Sequence, residues 1–186
     1  MRSWSKKRAM IRRYDTTAHL YDMRYAEEQL AKINAALKTA KIVGNGMALD
    51  VGCGTGLLFK HVAGKTKAFV GLDISRKTLE HAKTRAKDYL NVHLILADAD
   101  HMPLRGNSFD SVFAFTLLQN TPNPATTLNE LYRVAGKEAV VTVTGLKKSF
   151  SLLDFRELLQ NADLSIVALE GENLQCYVAV CIKLVH

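Results

Sequence analysis

The stretch Asp50-Val-Gly-Cys-Gly-Thr-Gly56 constrains this chain more than any other feature. It follows the apolar run Met47-Ala-Leu49 and precedes Leu57, Leu58, Phe59 and Val62, which read as a helix. A strand that ends in a glycine-rich turn lets backbone N–H groups come close to a ligand, because glycine carries no side chain. Gly71-Leu-Asp73 follows, with Asp73 placed 21 positions after Gly52. A βαβ unit that binds a nucleoside puts an acid about 20 residues after its glycines, where the acid accepts hydrogen bonds from ribose hydroxyls. The spacing here is G-x-G-x-G, and Leu57 stands where a dinucleotide fingerprint has its third glycine. No G-x-x-x-x-G-K-[ST] phosphate loop occurs either. The pattern is a nucleoside-binding half-fold.

The rest of the chain continues that alternation. Ala26, Leu30, Ile33 and Leu37 lie on one face of an N-terminal helix, which Gly44 and Gly46 are expected to stop. Strand two is expected over 68–73 and a third over 92–97, ending at Asp98. A fourth is expected over 109–115, a fifth over 138–144, and a closing pair over 164–169 and 176–184. Ser75 and Asn123 are placed to cap the helices that follow them, with Pro124 in the first helical position. Helices alternating with strands predict an α/β fold: a Rossmann-like, seven-stranded, mainly parallel sheet with helices on both faces. Residues 1–44 would form a basic arm and helical lid, and residues 45–186 the binding domain. The whole would be one domain.

The motif D-x-G-x-G-x-G at Asp50–Gly56, with Asp73 and Asp98 at successive strand ends, resembles that of the class I S-adenosylmethionine-dependent methyltransferases. The resemblance covers roughly residues 45 to 184, and the closing hairpin joined by Gly171-Glu-Asn173 is the one that ends that fold. It implies that Asp50, Gly52, Cys53 and Gly54 line the methionyl side of S-adenosylmethionine. Asp73 would take the ribose hydroxyls and Ile74 would lie against the adenine ring. Asp98 and the Ala99 N–H would meet the adenine edge. Thr116 would join the cofactor site from the end of strand four, and the product would be S-adenosylhomocysteine. The catalytic segment of the family falls on 116–122. Enzymes that methylate exocyclic amines often carry [DNS]-P-P-[YFW] there; this chain has Asn120 and Pro122 but Thr121 between them, and Asn123 in place of the aromatic. Asn120 would orient an amine, with Pro122 beside it and Tyr21 or Tyr25 stacking on the acceptor. Tyr14 and Tyr21, seven residues apart, share a helix face and resemble the aromatic lid segment of such enzymes; packing in the core explains them nearly as well.

Composition narrows the setting. Arg2, Lys6, Lys7, Arg8, Arg12 and Arg13 precede the first acid, Asp15. They are six of 25 basic residues, leaving 19 against 18 acids, so most of the net +7 sits in the N-terminal arm. Such an arm suits phosphate contacts, and a solvated terminus explains it equally well. No apolar run reaches the length of a membrane span. Three cysteines without a C-x-x-C pair suit reduced thiols in a cytoplasmic protein, and no metal site is expected.

These readings lead to three function classes. The first is methylation of a base amine in ribosomal or transfer RNA, with cytidine N4 of ribosomal RNA favoured, on free RNA or a ribosomal particle and with a small activating protein. The second is methylation of a quinone or other small metabolite. The third is a cofactor-binding partner subunit that does not catalyse.

Overall fold

The computed structural model describes residues 2–184, and of residues 2, 3, 19–22 and 24 the backbone only. The chain opens with one long helix, α1 (Arg2–Thr39). Thr16 and Thr17 lie within it, their hydroxyls donating to the carbonyls of Arg12 and Arg13, one turn back. The helix ends at Thr39, earlier than the glycines suggested. Gly44 and Asn45 form the turn into the sheet instead, with Asn45 at φ 64° and the Gly46 N–H donating to the Val43 carbonyl.

Strands β1 (Met47–Val51), β2 (Ala68–Asp73), β3 (Val92–Leu96), β4 (Phe109–Ala114) and β5 (Ala135–Leu146) are parallel; β6 (Leu164–Glu170) and β7 (Cys176–Lys183) close the sheet. The order is β3-β2-β1-β4-β5-β7-β6, with β7 antiparallel to both neighbours. The expected Rossmann-like sheet with its closing hairpin is therefore present. The first crossover is shorter than its apolar pattern predicted: α2 (Phe59–Val62) is one turn, followed by a 3-10 turn at Ala63–Lys65. The remaining crossovers are α3 (Arg76–Ala86), α4 (Pro124–Val134) and α5 (Leu152–Gln160). Ser75 and Asn123 cap as expected, accepting from the Thr78 and Ala125 N–H groups.

Side chains alternate across the strands as the period of two demands. Val70, Leu72, Val112 and Ala114 face a core completed by Leu128 and Leu131 of α4 and Phe155 and Leu159 of α5. Ala48, Phe69 and Phe113 face the other side, against Ile33, Phe59, Val62 and Ala82. Helices α1, α2 and α3 thus cover one face and α4 and α5 the other. Each fully buried phenylalanine contributes about 2 to 3 kcal/mol of apolar transfer, so these layers fix the sheet on which the site is carried. Chain order reverses between β1 and β4, and open α/β sheets take ligands outside the carboxyl ends of the strands at such a reversal.

Candidate cofactor and acceptor site

The glycine turn leaves β1 at that switch point. Gly52, Gly54 and Gly56 all have positive φ, at 75°, 53° and 83°. The Gly52 and Cys53 N–H groups both donate to the Leu72 carbonyl, which ties the turn to β2. A Cβ at Gly54 would meet nothing within 4 Å, so its backbone faces open space that a ligand can enter.

Asp73 is the hinge of this arrangement. Its Oδ2 accepts from the Gly54 N–H at 2.9 Å, and its Oδ1 accepts from the Ser75 N–H at 2.8 Å and the Thr78 hydroxyl at 3.2 Å. One carboxylate therefore joins the glycine turn to the start of α3. An open cleft runs past it. Gly52, Gly54 and Asp73 line one end, and Ile74, Asp98 and Ala99 the other. Asp50 and Cys53 lie in a smaller pocket behind the glycine turn, both buried.

The acidic end of the cleft is latched by α1. Lys7 reaches Asp98 at 2.6 Å and Asp100 at 2.5 Å, and Asp100 also accepts from the Thr127 hydroxyl at 2.6 Å. Lys7 is only 8% exposed, so it is withdrawn from the basic arm to which its sequence position assigned it. Lys6, Arg8, Arg12 and Arg13 are exposed. The side chains of Arg2 and Tyr21 lie outside the described residues. A second latch joins α1 to α3, where Asp15 accepts from the Ser75 hydroxyl at 2.6 Å.

The end of the cleft where the acceptor is expected is built at the turn after β4. Thr116 has φ 56°, and the 3-10 turn Leu118–Asn120 follows. Asn120 Nδ2 donates to the Thr116 carbonyl at 2.7 Å and to the Tyr14 hydroxyl at 2.9 Å. A carbonyl can only accept, so the amide orientation of Asn120 is fixed and its Oδ1 turns away from these partners. Thr116, Asn120 and Pro122 line the cofactor cleft, and Tyr14, Thr116 and Asn120 also line an adjoining polar pocket with Tyr25 and Gln119. The structure thus brings together every expected cofactor residue, although Asp50 and Cys53 lie one layer deeper. Lys32, Gln29, Asp100 and Met10 belong to this region and were not expected; the first two sit three apart on α1, where buried polar residues in an amphipathic helix are the available signal.

Charge explains what such a cleft favours. Burial pushes the Asp50 carboxyl up from 3.8 to about 8, and Asp73 adds to the rise. Asp73 is itself raised by burial, against the lowering effect of its N–H and hydroxyl donors. Two crowded carboxylates in a dry site favour a cationic ligand, and a sulfonium with an α-ammonium group fits that chemistry. Burial also pushes the Cys53 thiol up, leaving it protonated and unreactive.

The same shift has a consequence for stability. A carboxyl whose folded pKa exceeds its unfolded value holds a proton that the unfolded chain has released, so stability falls as pH rises from 3.8 to about 8. Urea midpoints for the ligand-free protein are expected to decline across this window and to flatten in Asp50→Asn. Midpoints that rise with pH over the same range would contradict the assignment.

Residues 49–143 match the family described as a methyltransferase domain. This chain belongs to that family. Its solved neighbours include an S-adenosylmethionine-dependent methyltransferase from Aquifex aeolicus, at TM-score 0.73 and 18% identity over 82% of this chain and 89% of that one. A Haloferax volcanii methyltransferase in complex with the Trm112 activator matches at TM-score 0.77 and 15% identity, over 91% and 96%. These likenesses concern the fold. In sequence, the chain is 32% identical over 132 residues to a malonyl-acyl-carrier-protein O-methyltransferase of Marinomonas sp., covering 70% of this chain and 48% of that protein. It is 36% identical over 101 residues to a demethylmenaquinone methyltransferase of Staphylococcus saprophyticus, covering 53% and 43%. The chain spans about half the length of the curated relatives it matches. No helix among the described residues is long and apolar enough to cross a membrane, and no cluster among them has the donors to hold a metal.

Proposed function

We propose that this chain transfers a methyl group from S-adenosylmethionine to a small polar acceptor that carries an N–H or O–H nucleophile. The cofactor is held along Gly52, Gly54, Asp73, Ile74, Asp98 and Ala99, with Asp50 beneath its charged end. The observation that carries the acceptor reading is the pair of side-chain amides that line the polar pocket adjoining the cleft. The Asn120 Nδ2 is spent on Thr116 and Tyr14, which turns Oδ1 away from both. Gln119 Oε1 is buried and, among the described residues, has no partner. A buried amide oxygen without a donor, beside an Asn120 oxygen turned away from its neighbours, suits an acceptor that brings an N–H or O–H. The role of the two oxygens is to hold the nucleophile's lone pair in line with the methyl group while α1 excludes water.

The acceptors in the relatives' names, malonyl-acyl-carrier protein and demethylmenaquinone, favour a non-nucleic acceptor over RNA. RNA remains the second reading because Lys6, Arg8, Arg12 and Arg13 are exposed along α1 and Arg13 borders the polar pocket. A small activating protein belongs to either reading, since the Haloferax neighbour is in complex with an activator.

The experiment offers labelled S-adenosylmethionine with a small-molecule filtrate, total RNA and ribosomal particles. Label in the filtrate, unchanged when Lys6, Arg8 and Arg12 are replaced by Ser, is the expected result. Label in RNA, lost with those replacements and with added salt, overturns the small-acceptor reading in favour of the second. No transfer to any fraction, with or without a co-purified partner, leaves a cofactor-binding subunit.

A further inference from the structure

Thr116 is a β-branched residue in the left-handed region, a conformation that costs free energy and persists only where its surroundings enforce it. Each of its polar atoms is engaged. Its N–H donates to the Thr144 hydroxyl at 2.7 Å, and its carbonyl accepts from Asn120 at 2.7 Å. Its hydroxyl meets Lys32 Nζ at 3.0 Å and the Gln29 amide at 3.0 Å. Lys32 is 2% exposed, and its ammonium is held only by Thr116 and by Glu28 at 2.7 Å among the described partners. Burying an ammonium is costly unless it is paired, so a lysine at this point on α1 calls for a use beyond packing. Apolar side chains would fill the same space at less cost.

We propose that Lys32, together with Gln29, is a positioning residue for methyl transfer: the two hold Thr116 in its left-handed conformation and so set the turn that presents Asn120. The link is direct, because the Thr116 carbonyl that orients Asn120 belongs to the residue whose hydroxyl α1 grips. Helix α1 thereby couples closure over the cleft to the placement of the acceptor-orienting amide. The functional meaning of this inference rests on the methyl-transfer reading, whereas the geometric claim does not.

Glycine takes positive φ without penalty, and this supplies the test. The variants are Lys32→Met, Thr116→Gly and the pair combined, with Gln29→Leu in both backgrounds as a second probe should Lys32→Met fail to fold. The readout is water exchange of the Asn120 side-chain amide protons by ¹⁵N-resolved NMR. In Lys32→Met, exchange is expected to quicken by about tenfold or more, while Thr116→Gly leaves it within about threefold. Adding Lys32→Met to Thr116→Gly should then change nothing, since no strained conformer is left to hold. A merely structural lysine would speed exchange equally in both backgrounds, or not touch Asn120 at all, and either result overturns the proposal. In the labelled-methyl assay, Lys32→Met should lower turnover by about 30-fold with the affinity for S-adenosylmethionine within about threefold of wild type. Absence of turnover in wild type with the NMR pattern intact would sink the methyl-transfer reading and leave the positioning geometry standing.

Discussion

Asp73→Ala is expected to raise the dissociation constant for S-adenosylmethionine by about 100-fold or more, because on the proposed reading it removes two charge-assisted hydrogen bonds to the ribose, at about 1.5 to 3 kcal/mol each. The effect is compounded within the protein. Asp73 also accepts from the Gly54 and Ser75 N–H groups and the Thr78 hydroxyl, and those donors lose their acceptor together. The glycine turn is then no longer tied to α3, so the cradle for the methionyl end loosens as the ribose anchor is lost. Asn at 73 is a poor substitute, since its NH₂ group would face one of these donors. Titration calorimetry measures the affinity, and urea unfolding separates it from stability. Wild-type affinity in Asp73→Ala would remove Asp73 from the site.

The second large effect is on the fold. Gly56→Ala is expected to cost about 3 to 5 kcal/mol, the sum of left-handed backbone strain and overpacking of a closed core. The glycine sits at φ 83°, and an added Cβ would fall inside the contact distance of the Phe59 ring. Phe59 cannot give way, because it is fully buried edge-on against Phe69 with ring centroids 5.2 Å apart. Gly54→Ala is the internal comparison. Its φ is 53° and its Cβ would enter open space, so only strain of about 1 to 2 kcal/mol is expected in the fold. Urea midpoints for the two variants should differ accordingly. Equal losses would mean that the Phe59 contact is not what Gly56 protects.

The central strands were legible because parallel strands buried on both faces read as short apolar runs. Residues 68–73 match the observed β2 residue for residue, and β3, β4 and β6 differ from expectation by a residue at one end. The glycine-rich turn and its answering acid were legible for a different reason: only backbone freedom at fixed spacing satisfies that geometry. The ends of elements were less so. Gly44 and Gly46 were read as a helix stop, yet they serve the turn into β1, since a glycine marks a break without saying which element it ends. Likewise β5 begins at Ala135, straight after α4 and three residues before the start expected at 138.

The site was legible only on its sheet side. Each expected cofactor residue belongs to a strand end, and strand order alone gathers them. What α1 contributes could not be read, because a long helix crosses the site by contacts that local pattern does not encode. Lys7 meets Asp98 across 91 positions of sequence, and Gln29 meets Thr116 across 87. Charge counting placed Lys7 with the basic arm, whereas Asp98 and Asp100, just after β3, draw it inward. The one signal for Lys32 was a cation among Leu30, Ile33 and Ala36, and the structure adds that it is buried.

The most direct test is methyl transfer itself. Labelled S-adenosylmethionine is given to wild type and to Asp73→Ala with the same cellular fractions, and transferred label is counted. Label carried to an acceptor by wild type, with Asp73→Ala at background, is the result predicted here. Equal transfer by the two proteins would contradict the account, because the methyl group would then come from a site that does not use Asp73.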